Sequence, residues 1–174
     1  MSKPPSSAAL PIAFVALRFL IILNWCGGAA ILALLLVMPN EQWIMSAFKI
    51  SPSPDAARLV MGLRAVATLG LLAVPLNYIV LKQLLAIVKT VREGDPFVAA
   101  NAIRLQAIAW MLLGLQLLSI IIGAIGKYIS TPAHPVHLQA GFSMSGWLAV
   151  LLTFLLARVF AEGTLMRDDL KGTV

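Results

Sequence analysis

His134 and His137 flank Pro135-Val136 and are the only histidines in the chain. Two imidazoles supply at most half of a tetrahedral zinc shell, and no cysteine or acid lies near them in sequence to complete it. The adjoining prolines account for the segment as a stiff turn. Cys26 stands alone inside an apolar run, so an intramolecular disulfide is excluded. No nucleophile with a base, no cluster of metal ligands and no glycine-rich phosphate loop occurs, so no catalytic, metal or cofactor-binding residue is expected. The ionic residues gather instead at two places. One is the turn Gly94-Asp95-Pro96-Phe97 with Asn101 and Arg104 just after it. The other is the C-terminal segment, where Glu162, Asp168 and Asp169 make up three of the seven acids, interleaved with Arg167 and Lys171. The chemistry on offer is charge pairing and docking.

The elements that carry these residues are apolar. Of 174 residues 60% are hydrophobic and 11% charged, with a mean hydropathy of +0.94, far from the roughly 45 to 50% apolar and about 25% charged residues of soluble domains. The chain is expected to be an all-α polytopic membrane protein, a single four-helix membrane domain. A bilayer core of about 30 Å takes roughly 20 residues of helix, and four runs approach that length, at about 19–38, 65–81, 105–126 and 142–157. Arg18, Arg64, Lys82, Arg104, Lys127 and Arg158 bracket them, where a long stem can lie on apolar surface while its charge reaches the headgroups. The net charge of +6 therefore reports orientation rather than nucleic-acid binding. Nine basic residues fall on one side and Lys49, Arg58, Arg64 and Lys127 on the other, which places both termini in the cytoplasm of a bacterial inner membrane. The first apolar run is too long for the core of a cleaved signal peptide.

The connections follow from local signals. Trp43, Ile44, Ala47 and Phe48 share one face of a short helix suited to lie in the interface of the first outer loop. On the inner side the second helix is expected to run on from Lys82 to Glu93 and to stop at Gly94. Asp95 then offers an N-cap oxygen, Pro96 takes the first helical position and Phe97 staples the new helix. This cytoplasmic hairpin, about 82–104, faces the tail, 158–174. Arg92 or Arg104 could pair with Asp168 or Asp169 in a clasp within the protein, or both elements could serve a partner.

Between the span limits there is no Asp, Glu, His, Lys or Arg. Asn24, Thr68, Asn77, Gln116, Ser119, Ser143, Ser145 and Thr153 suit hydrogen bonds between helices. Pro75 should kink the second helix. Gly27-Gly28 and the pair Gly123 and Gly126 permit close approach of helices.

The sequence Gly94-Asp95-Pro96-Phe97 with Asn101, Arg104 and Leu105, and the ending Phe160-Ala161-Glu162-Gly163 through Arg167-Asp168-Asp169-Leu170-Lys171, resemble the bacterial membrane family catalogued as domain of unknown function 2975. The resemblance covers nearly the whole chain. It departs at Lys171, where an acid is more usual. It implies four spans, no catalytic residues, and, as a partner, a small helix-turn-helix regulator encoded nearby. The function expected is a non-enzymatic membrane protein whose hairpin and tail, through Gly94, Asp95, Pro96, Phe97, Asn101, Arg104, Glu162, Gly163, Arg167, Asp168, Asp169 and Leu170, bind or organise that partner or a further copy of the chain. A small transporter or channel with a polar seam through Asn77 and Gln116 is the alternative.

Overall fold

The computed structural model describes residues 9–37, 46, 54–131 and 138–172. It contains four long helices: α1 over Ala9–Val37, α2 over Pro54–Arg92, α3 over Ala99–Ile129 and α4 over Met144–Gly172. All four are long and apolar enough to cross a membrane. Their apolar residues lie around the whole circumference, as expected of helices that meet lipid on most sides. Phe19, Leu36 and Leu151 are more than half exposed for that reason. Each helix outruns its hydropathy limits, because the flanking sequence has no breaker until Pro54, Gly94 or the polar loops. At 39 residues, α2 is about 58 Å long at a rise of 1.5 Å per residue, so it must project beyond a hydrocarbon core of about 30 Å.

The helices pack in chain order, α1 on α2, α2 on α3 and α3 on α4. Two buried clusters hold the row together. At one end Leu59, Val60 and Ile129 join α2 to α3, with Leu34 and Leu35 of α1 against them. At the end where α2 turns into α3, here the hairpin end, Leu105 and Ile108 of α3 meet Ala157 of α4, flanked by Leu84, Ile87 and Phe160. The seam between α1 and α2 is tight at Gly28, which lies against the Val74 side chain. Beside it the Asn24 amide donates to the Val74 carbonyl at 3.1 Å, and Trp25 meets Tyr78 with ring centroids 5.5 Å apart.

The polar residues of the spans divide between two uses. Asn24 bonds across helices as expected, but Thr68 and Thr153 donate to Arg64 and Ala149 of their own helices. Gln116 and Ser119 reach the connection before α4: Gln116 donates to the Ser143 carbonyl at 3.4 Å, and Ser119 exchanges bonds with both backbone groups of Gly141. Gly123 and Gly126 receive this connection, through Ala140, Gly141 and Leu138, rather than another helix. Backbone itself approaches Gly123, and the Leu138 side chain fills the space over Gly126. Gly141 has φ +136°, a region that favours glycine. Ser143 then caps α4, its hydroxyl accepting from the Gly146 amide at 3.2 Å. The expected interfacial helix lies outside the described residues apart from Ser46, which is helical. His134 and His137 also lie outside them.

Candidate functional site

The site forms where α2 ends. Gly94 takes φ +87°, its amide bonds the Val91 carbonyl and the Asp95 amide bonds the Thr90 carbonyl, both at 3.1 Å. This pair of bonds satisfies carbonyls that a helix end would otherwise leave open. The left-handed glycine was legible in the sequence, but the residues after it do not take the expected helical start. α3 begins at Ala99 with Val98 as its N-cap and no side-chain cap. Asp95 is therefore not the capping residue, and Pro96 is not in the first turn. Val98 is extended, and the Asp95 carboxylate turns to a partner on another helix.

That partner is Arg167 of α4. Its two terminal nitrogens donate to the two carboxylate oxygens of Asp95, Nη2 to Oδ2 at 3.0 Å and Nη1 to Oδ1, and Nη1 also donates to the Phe97 carbonyl at 2.8 Å. Bidentate pairing fixes the relative orientation of two elements as well as their distance. A carboxylate of the turn thus meets an arginine of the tail, while the pairing expected of Arg92 or Arg104 with Asp168 or Asp169 involves side chains outside the described residues. Arg104 donates to Asn101 at 2.8 Å, and Arg92 lies over the ring of Phe14. The side chains of Asp168, Asp169 and Leu170 lie outside the described residues, although the helix continues through them.

Phe97 reaches across to α4. It stacks on Phe160 of α4, with centroids 5.2 Å apart and planes at 30°, and covers Gly163, where an added Cβ would sit 3.5 Å from the ring. Thr164 is buried alongside and returns its hydroxyl to the Phe160 and Ala161 carbonyls. Phe160, Gly163, Thr164 and Arg167 follow the spacing i, i+3, i+4, i+7 and so form one face of α4. Glu162 is on another face and pairs with Arg158 at 2.7 Å, well exposed.

Beneath the turn, Asn101 is fully buried. Its amide donates to Thr90 Oγ1 and to the Pro96 carbonyl, each at 2.8 Å, while its oxygen accepts from Arg104. Thr90 passes the chain on to the Ile87 carbonyl at 2.8 Å. A single side chain thereby ties the end of α2, the turn and the start of α3. Thr90 and Thr164 were not singled out from sequence. For Thr164 the helical spacing with Phe160 and Arg167 was the available signal. For Thr90 there was none, because its role depends on how α3 leaves the turn.

This arrangement can hold two elements in fixed register and present their outer surface. Among the described residues there is no group of three or more His, Cys, Asp or Glu that could hold a metal ion. The sequence model of a family described as protein of unknown function (DUF2975) matches residues 38–174. That span begins as α1 ends and includes both the turn and the clasping face of α4. No curated protein and no solved structure gives a significant match.

Proposed function

From the premise that the chain belongs to the DUF2975 family of proteins of unknown function, we propose that it is a non-enzymatic multi-pass protein of the bacterial inner membrane, with both termini in the cytoplasm. Its role is to hold a cytoplasmic docking head made of the α2–α3 turn and the end of α4. The observation that carries this reading is the bidentate Asp95–Arg167 pair. It joins segments 72 residues apart in sequence, on the side to which the sequence assigns nine basic residues. A surface assembled before binding avoids the ordering cost that a loose tail would bear. Leu165 and Met166, 66% and 63% exposed beside the clasp, offer that surface apolar anchors.

A small helix-turn-helix regulator is the partner proposed on the strength of the resemblance. Pull-down with the full chain, a chain ending at Arg158, and the charge-exchanged pair Asp95→Arg with Arg167→Asp tests the head directly. Capture by the full chain and by the exchanged pair, with loss in the truncated chain, is the expected result. Undiminished capture by the truncated chain would sink the proposal.

A further inference from the structure

A second polar feature at the hairpin end lies between α1 and α2, away from the clasp. Phe14 and Arg18 of α1 and Lys82, Leu85, Ala86, Lys89, Arg92 and Glu93 of α2 line a cavity of about 600 Å³. Its apolar side is Phe14, Leu85 and Ala86. Its rim carries four cations against one carboxylate, and that carboxylate stands 4.0 Å from Lys89. Two of the cations converge: the guanidinium carbons of Arg18 and Arg92 lie 4.6 and 4.9 Å from the centroid of the same Phe14 ring. A third, Lys82, faces the Tyr78 ring at 6.0 Å. Aromatic faces attract cations, but one ring does not offset the repulsion among several. The charge balance calls for an anion.

The position selects its kind. The cavity lies beyond the 65–81 apolar run of α2 and just before the 19–38 run of α1, at the depth where the hydrocarbon core gives way to headgroups. It is apolar toward the spans and cationic at the rim. We infer that it binds one anionic glycerophospholipid, the phosphate between Arg18 and Arg92 with Lys82 and Lys89 at the rim, and the start of an acyl chain along Phe14, Leu85 and Ala86. Basic pockets between transmembrane helices take anionic headgroups in this way. Four of the nine basic residues that report orientation in the sequence thus also form a ligand site.

The test uses the full chain in nanodiscs of phosphatidylcholine with a minor fraction of phosphatidylglycerol, and native mass spectrometry to read the lipid retained on release. The wild type is expected to keep one phosphatidylglycerol in preference to phosphatidylcholine. At about fivefold per basic group near a membrane surface, Arg18→Gln with Arg92→Gln lowers retention roughly 25-fold. A charge-matched control outside the cavity, Arg158→Gln with Lys127→Gln, leaves it unchanged. Ala86→Phe, which fills the cavity and removes no charge, also lowers retention and serves if the double variant does not fold. Equal retention of both lipids, an equal fall in the control, or displacement by millimolar inorganic phosphate overturns the assignment.

Discussion

Asn101 and Arg167 hold the same turn by different means, and burial separates their contributions. Asn101 is sealed from solvent with three hydrogen bonds, so an apolar replacement strands the Pro96 carbonyl and an Arg104 donor. Leaving such groups unsatisfied costs about 1–3 kcal/mol. Asn101→Leu should lower unfolding free energy in detergent by about 2 kcal/mol. The Asp95–Arg167 pair is 42% and 35% exposed, so screening limits it to about 1 kcal/mol in a double-mutant cycle with alanine at each site. The pair sets geometry more than stability. If Arg167→Ala proved costlier than Asn101→Leu, the roles assigned to the two residues would be reversed. That Asn101 lies just after the turn was legible, but its burial was not, since a lone polar residue near a helix start normally faces water.

For the elements, hydropathy and breakers sufficed to place the four helices, because a continuous apolar helix has few alternatives in lipid. The pairing across the clasp was not legible. Sequence gives the phase of residues within a helix but not the rotation of one helix against its neighbour, so nothing singled out Asp95 and Arg167 as a pair that meets. The turn misled for a related reason: once Gly94 had closed α2 with two backbone bonds, the chain had no need of Asp95 as a cap. Two glycine substitutions separate close approach from mere proximity. Gly163→Ala adds a Cβ at ordinary contact distance from Phe97 and should stabilise α4 by up to about 1 kcal/mol through helix propensity. Gly123→Ala would place a Cβ 2.6 Å from the Ala140 oxygen and should destabilise by about 1–3 kcal/mol. Thermal unfolding of the two variants side by side checks the ordering, and similar shifts would contradict the docking of the loop on α3.

At the scale of the whole molecule, packing in chain order makes α1 an edge helix attached through α2 alone among its extensive interfaces. The family match begins at residue 38, so the matched region contains the other three. The attachment of α1 can be trapped. A Cβ at Gly28 would stand 3.6 Å from Val74 Cβ, close to the separation of about 3.8 Å found in disulfides. Gly28→Cys with Val74→Cys, in a Cys26→Ser background, should cross-link on oxidation and alter mobility on a non-reducing gel after proteolysis between α1 and α2. Failure to cross-link would remove the seam. The clasp is bound into the molecule differently, since α4 runs unbroken from Met144 to Gly172. Each residue inserted into such a helix turns everything after it by about 100° and advances it by about 1.5 Å. Lengthening the span by one residue would therefore swing Arg167 off Asp95. Only near-integral pairs of turns, about seven residues, would restore the azimuth, and these would carry the arginine about 10 Å too far along the axis. The thickness of bilayer that α4 can match and the closure of the clasp are thus a single quantity in this protein, and neither can drift without the other.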